Sequence, residues 1–338
     1  MLQNTQTARG DSPIAVIGAG IAGAWQALTF AKAGHAVTLH ERGDASMQQA
    51  TSHWAGGMLA PWCEAEVSEP VVSRLGLRAL QLWHQEIPDT PFNGSLVVAH
   101  ARDRADYERF AKMTAGHRRL DAAALADIEP SLEGRFRDAL FYPDEGHVEP
   151  RRVLPQLHAQ ITAAGGVIKY NSEQRPRDLD GIVIDCRGLS ARDQQPALRG
   201  VKGEIVIVET DEVQLSRPIR LMHPRWPLYV IPRDGNRFML GATSIESEDQ
   251  GVSVRSALEL LGAAYAVHPA FAEARILEFG AGVRPAFPDN LPRIAVQQRR
   301  ISVNGLYRHG FLLAPALAEL TLAYVQRGEI DNEVMQCA

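Results

Sequence analysis

Gly18, Gly20 and Gly23 form the run G-A-G-I-A-G, and Glu41 follows at the end of the next apolar stretch. Residues of these types at this spacing can hold a dinucleotide. Gly18 permits a tight turn, Gly20 lets backbone approach a pyrophosphate, and Gly23 lets a helix pack closely on a strand. Ile21 and Ala22 open that helix, so their amides and the positive end of the helix dipole face a diphosphate. The Glu41 carboxylate can accept hydrogen bonds from ribose hydroxyls and repels a 2′-phosphate, while Arg42 beside it adds one positive charge. The elements needed to position these groups are legible. Residues 14–17 are a short β-branched apolar run of the buried parallel type. Helical periodicity then runs to Lys32, Gly34 caps it, and a second strand covers 36–40. The alternative is a glycine-rich turn that binds nothing, which the register of strand, helix, strand and acid disfavours.

FAD and NAD share this fingerprint, so the rest of the chain has to separate them. NAD dehydrogenases of the usual kind continue directly with further strand and helix units. Here the second strand runs into T-S-H-W-A-G-G-M-L-A-P at 51–61, a small-residue segment opening toward a helix. Backbone around Thr51, Ser52, Gly56, Gly57 and Met58 could line a flat ring system and its phosphates, and a plain loop is the alternative.

Composition narrows the class. The 338 residues are 45% apolar and 22% charged, enough for about two domains. The net charge of −5 is well mixed and shows no basic stripe, which argues against nucleic acid. Three cysteines, Cys63, Cys186 and Cys337, lie too far apart for a disulfide framework or a zinc pattern. The polar first twelve residues lack the order of a secretory signal, and no apolar run approaches the ~20 residues a membrane helix needs. The expectation is a cytoplasmic protein without membrane, nucleic-acid or metal partners.

Taken in order along nearly the whole chain, the motifs resemble the D-amino-acid oxidase family of flavoproteins, and most closely its glycine oxidase branch linked to thiamine biosynthesis. The resemblance runs through V-I-G-A-G-I-A-G-A, E-R-G, S-H-W-A-G-G-M-L-A-P, D-E-G-H-V-E-P, V-K-G-E, L-Y-V-I-P-R, L-G-A-T, A-G-V-R-P and R-H-G-F-L-L-A-P-A. It implies an α/β plus antiparallel β fold, with a Rossmann-like FAD-binding domain and a mixed-sheet substrate domain. The FAD-binding domain would be discontinuous (12–80, 145–195 and 280–330), and the substrate domain would take 81–144 and 196–279. Local patterns agree: a helix over 152–164, strands over 167–170, 182–186 and 301–304, and a last helix over about 315–327. In the other domain, 204–208, 229–232 and 238–241 read as antiparallel strands, with a tight hairpin at Asp234, Gly235 and Asn236.

The same resemblance assigns the pocket. Arg284, in A-G-V-R-P, matches the family arginine that grips the substrate carboxylate, and a guanidinium fork suits that group as lysine would not. Tyr229 matches a tyrosine whose hydroxyl reaches the same carboxylate, although its alternation equally suits a core aromatic. Arg308 matches a pocket arginine near the flavin edge. The stretch Leu306, Tyr307, His309, Gly310, Phe311 and Leu312 would run past the flavin pyrimidine, with Gly310 allowing close backbone approach. The connector after Asn171 is shorter and more charged than the family's usual one, and Gln174 is where its adenine-side contact would fall.

No side chain is identified as an acid–base catalyst, since the expected step is hydride transfer to flavin. His53, His147, His223 and His309 show no metal spacing; His53 falls in the flavin loop and His147 would order a turn before Pro150. Cys63 does not match a covalent flavin attachment, so noncovalent FAD is expected. The implied activity is oxidation of glycine or another small amine or amino acid to an imine, with oxygen reduced to hydrogen peroxide. The alternatives are a D-amino-acid dehydrogenase passing electrons to a quinone, and a flavin-binding module without catalysis. A homo-oligomer is implied by the resemblance alone.

Overall fold

The computed structural model describes residues 12–222 and 228–337; the first eleven residues of the leader reading and His223 lie outside them. The chain forms two compact units. One runs to His53 and adds Arg151–Arg199 and everything from Pro285; the other takes Trp54–Pro150 and Gly200–Arg284. These bounds differ from the expected ones by placing 54–80, 145–150 and 280–284 in the second unit and 196–199 in the first.

The first unit is built on a sheet of seven strands among the described residues. Its order is Met335–Cys337, Arg293–Gln297, Arg300–Asn304, Ile182–Asp185, Ile14–Ile17, Val37–His40, Val167–Lys169. All neighbours are parallel except the hairpin formed by Arg293–Gln297 and Arg300–Asn304. The interior strand Ile14–Ile17 is buried throughout, as its uninterrupted apolar run requires. The chain leaves it toward Val37–His40 on one side and returns as Ile182–Asp185 on the other, so strand order reverses beside it. In sheets of this kind the crevice at that reversal, beyond the carboxyl ends of the strands, is where nucleotides bind.

Helix Ile21–Lys32 is apolar almost all round, with Trp25, Leu28 and Phe30 buried. It packs beside the last helix, Gly310–Arg327, where Gln26 Nε2 donates to Thr321 Oγ1 at 3.1 Å. Gly34, at φ +88°, ends it as expected: its amide donates to the Ala31 carbonyl and the His35 amide to that of Phe30. The last helix begins at Gly310, five residues before the expected start, through a 3-10 turn at Tyr307–His309. Pro315 therefore lies inside it rather than opening it, and having no N–H it contributes no donor to the helix ladder.

The second unit has a nine-stranded mixed sheet among the described residues, with Arg199–Glu209 as its long strand. Leu228–Arg233 and Arg237–Gly241 form the expected hairpin, turning at Gly235 (φ +75°) and Asn236 (φ +55°). Ile219–Leu221 pairs antiparallel with Leu228–Arg233 and parallel with Ser95–Val98. One face carries Val206, Val208, Val230, Phe238 and Leu240, packed on Leu260, Ala264 and Val267 of helix Val254–Val267. Burying each such aliphatic side chain contributes roughly 1.5–3 kcal/mol. The opposite face carries Ile205, Tyr229, Ile231 and Met239.

Candidate active site

In the first unit the glycine run sits at the strand reversal. Gly18 has φ +93°, and a Cβ there would stand 2.6 Å from the Cys186 carbonyl oxygen. A Cβ on Gly23 would overlap the Gly18 carbonyl, so both positions need glycine for the helix and the two strands to meet. Gly20 caps helix Ile21–Lys32 with extended backbone; no side chain of its own closes the cap, and the first turn holds no acid. Ser52, from the turn Thr51–Trp54, accepts from the Ile21 amide at 3.0 Å. The Glu41 carboxylate is fixed from two sides, accepting from the Ala19 amide at 2.8 Å and the Gly43 amide at 2.9 Å. Arg42 is exposed and donates to Ser190 Oγ at 3.1 Å.

Gln174 stands close by, with Nε2 3.4 Å from Ser172 Oγ; Ser172 in turn donates its amide to the Glu41 carbonyl. Gly310, first residue of the last helix, would place a Cβ 3.3 Å from Ile21 Cγ2, so the starts of two parallel helices adjoin. Their dipoles give this end of the sheet a concentrated positive potential. Leu306, His309, Phe311 and Leu312 are buried, while Ala22, Tyr307 and Arg308 keep partial exposure.

The second unit gathers a different set. Tyr229 pairs across to Gly241, and Gly241 to Ile205, so these three point to one face; Gly203, two residues before Ile205, shares it. The Arg284 guanidinium lies over Gly203, where any Cβ would collide with it, and Arg284 Nη1 donates to the Thr243 carbonyl at 3.0 Å. Arg284 and Tyr229 therefore stand on the same sheet face. Tyr229 is 7% exposed, and among the described residues its hydroxyl has no hydrogen-bond partner. Burial pushes its pKa well above the usual tyrosine value, with Arg220 pulling the other way. The phenol stays protonated near neutrality and can donate. A buried, unanswered donor of this kind costs about 1–3 kcal/mol unless something polar meets it.

Gly56, Gly57 and Met58 also belong to this unit. Gly57 has φ +70°, and its carbonyl accepts from the Val148 amide at 2.8 Å. Met58 pairs with His147 in a two-stranded ladder, and Arg233 Nη2 donates to the Gly56 carbonyl at 2.6 Å. His147 is thus a buried strand residue rather than a turn-former, and burial, with Arg233 nearby, pulls its pKa down to about 3.

Comparison with known proteins decides the class. The family described as "DAO: FAD dependent oxidoreductase" matches residues 13–324. The chain belongs to that family. The DAO-family chain is also 50% identical over 312 residues to the "Putative thiamine biosynthesis oxidoreductase ThiO" of Rhizobium etli, covering 90% of itself and 94% of that protein. It is 26% identical to a Geobacillus kaustophilus protein named glycine oxidase, covering 94% and 93% of the two chains. The crystal structure of glycine oxidase from that organism superposes with a TM-score of 0.80 at 23% identity, over 95% and 96% of the chains. Iminodiacetate oxidase from Chelativorans gives 0.79 at 22% identity, over 96% and 99%. The last two likenesses establish the fold: a Rossmann-like FAD-binding sheet with a mixed-sheet companion.

The DAO-family assignment brings FAD, and the residues of the first unit suit it. Gly18 and Gly23 let the first strand, the helix start and the Cys186 backbone close up at the strand reversal, so the helix amides lie at its edge. A helix start without an acid suits a diphosphate, and the clamped Glu41 carboxylate suits ribose hydroxyls. Reading the sequence did not find two buried charged residues of the second unit. Glu145 accepts from the Trp62 and Cys63 amides at 3.0 and 2.8 Å and from Ser95 Oγ. Burial is the main cause of its pKa rising to about 7. Arg220 is 1% exposed and lies beside Tyr229. Glu145 sits in the D-E-G-H-V-E-P motif that carried the resemblance, but Arg220 stands in no recognisable pattern.

Proposed function

We propose that this FAD-dependent enzyme oxidises the carbon–nitrogen bond of glycine or another small amino acid or amine, and that oxygen takes up the electrons as hydrogen peroxide. Glycine would lose two electrons and two protons to become an imine. Water then converts the imine to glyoxylate and ammonia unless it is drawn into the thiamine thiazole, the context suggested by half the residues being shared with the ThiO relative. Bound FAD supplies the two-electron acceptor.

Each remaining task falls to this chain's own side chains. Arg284 holds the substrate carboxylate with its guanidinium fork, which the bond to the Thr243 carbonyl keeps in orientation. Tyr229 donates its hydroxyl to a carboxylate oxygen, and Arg308 adds positive charge near the flavin edge. Ile205, Ile231 and Met239 around Tyr229 keep water away and favour the neutral amine that oxidation needs. Gly18, Gly20, Ile21, Ala22, Gly23, Glu41, Arg42 and Ser52 would hold the adenosine diphosphate half of noncovalent FAD. Thr51, Gly56, Gly57 and Met58 would line the rest of the cofactor, with Gln174 toward the adenine. Leu306 through Leu312, with Gly310 at the helix start, would face the ring and stabilise negative charge there.

The observation that carries the reading is the buried Tyr229 hydroxyl, unanswered among the described residues, on the same face as a buttressed arginine. The test is anaerobic mixing of the yellow protein with glycine, sarcosine and D-alanine while flavin absorbance is followed. Bleaching, followed by one peroxide per turnover when air is admitted, is expected. A protein that stays yellow with all three would refute the substrate class, and bleaching without peroxide would refute oxygen as acceptor.

A further inference from the structure

Arg220 is an expensive residue to keep where it is. Its side chain is 2% exposed, and among the described residues Glu66, 2.6 Å from Nη2, is the one ion-paired with it. Nη1 donates to the Cys63 carbonyl at 3.0 Å, and Nε has no hydrogen-bond partner among the described residues. A buried guanidinium with an incomplete set of partners is weak support for stability, and an apolar side chain of similar volume would often serve as well. What the arginine does instead is stack. Its guanidinium carbon lies 4.5 Å from the centre of the Phe110 ring on one contact and 5.7 Å from that of Tyr229 on another. Arg220 and Tyr229 are directly opposed across adjacent antiparallel strands and share one sheet face. The arginine is tied at two further points, to Glu66 and to the backbone of the short helix Pro61–Glu64.

We propose that Arg220 is a positioning residue for Tyr229: held by Glu66 and the Cys63 carbonyl, its guanidinium braces the phenol ring so that the hydroxyl keeps its aim at the substrate carboxylate. This rests on the reading of Tyr229 as a substrate contact. Tyr229 has only two side-chain torsions, and its apolar neighbours Ile205, Ile231 and Met239 offer its hydroxyl no acceptor. A planar cation opposite the ring adds a directional attraction that aliphatic packing does not.

The experiment uses the full FAD-loaded protein, with glycine as substrate, and compares Tyr229→Phe, Arg220→Met, Arg220→Lys, Glu66→Gln and the doubles carrying Tyr229→Phe. Tyr229→Phe is expected to raise KM about tenfold, the size of one hydrogen bond to a charged group, with kcat changed much less. Arg220→Met should raise KM by a similar factor. Combined with Tyr229→Phe it should raise KM little further, because both changes remove the same contact. Arg220→Lys and Glu66→Gln should raise KM less, and likewise fail to multiply with Tyr229→Phe. A role in stability alone would give multiplying effects, or a lower melting temperature at unchanged KM. If Tyr229→Phe leaves KM unchanged, the reading of Tyr229 fails and this proposal falls with it. If Tyr229→Phe raises KM but the Arg220 and Glu66 changes do not, or multiply with it, only the role of Arg220 is overturned. Should Arg220→Met fail to fold, Arg220→Lys and Glu66→Gln decide by the same criteria.

Discussion

Alanine at position 18 would test whether the glycine run is a device for close approach. The added methyl carbon would stand 2.6 Å from the Cys186 carbonyl oxygen and 3.3 Å from the Arg187 Cα, on a residue whose φ is +93°. Reaching the 3.0 Å that side-chain carbons tolerate means parting the loop from Cys186 by about 0.4 Å. The Gly18 amide bond to the His40 carbonyl and the Cys186 amide bond to the Ile17 carbonyl, each 2.8 Å, resist that parting. Left-handed backbone costs an L-residue roughly 1–2 kcal/mol, and crowding in a packed site about 1–3 kcal/mol. The apo-protein should therefore lose on the order of 2–5 kcal/mol of stability in the first unit. FAD should bind about ten- to a hundredfold more weakly if one charge-assisted bond to the diphosphate is lost. Flavin fluorescence titration and thermal unfolding of the apo-protein read the two effects. Gly262→Ala is the control: it lies in helix Val254–Val267, its Cβ would meet nothing within 4 Å, and it should stabilise slightly. FAD affinity within twofold of wild type and an unchanged melting curve in Gly18→Ala would refute the close-approach argument.

Arg284→Lys should keep FAD bound while raising KM for glycine about ten- to a hundredfold, because an ammonium cannot make the paired contact; steady-state kinetics with glycine check it. Ser52→Ala removes the acceptor of the Ile21 amide and should cost about 1 kcal/mol of helix capping, read as a several-fold rise in the FAD dissociation constant. Glu145 has a folded pKa raised from 4.5 to about 7, so the folded state holds an extra proton between those values. Its contribution is fully present below the unfolded value and is lost as pH climbs toward 7, by an amount on the order of 3 kcal/mol. Glu145→Gln should flatten that fall in a series of denaturant melts from pH 5 to about 8, and an unchanged slope would show that Glu145 is not its source.

The strand–helix–strand unit around the glycine run is legible because its geometry is local. Gly18, Gly20, Gly23 and Glu41 sit within one strand–helix–strand unit, and spacing alone sets their geometry. The helix stop at Gly34 and the hairpin at Gly235 were readable for the same reason, since positive φ selects glycine and asparagine. Pro315 looks like a first-turn proline and so masks the start of the last helix, which follows directly on the 3-10 turn Tyr307–His309. Strands Met58–Leu59 and Gly146–His147 are two residues each, too short for any periodicity to set His147 apart from a turn residue. Arg220 and Glu145 escaped because what defines them is long-range. Arg220 meets residues 157 and 154 positions away, and Glu145 meets residues 83, 82 and 50 away.

The threading of the first sheet constrains how the chain can be made. Ile14–Ile17 acquires its neighbour Ile182–Asp185 only after Trp54–Pro150 of the other unit has been synthesised, and Ile182–Asp185 stays open on its far side until Gly200–Arg284 has been made and Arg300–Asn304 emerges. On the ribosome that bare edge, with unpaired amides and carbonyls along an apolar strand, is an invitation to intermolecular pairing. Truncations ending before residue 300 should accordingly precipitate even though the glycine run and Glu41 are all present, and nascent chains should acquire flavin only near release.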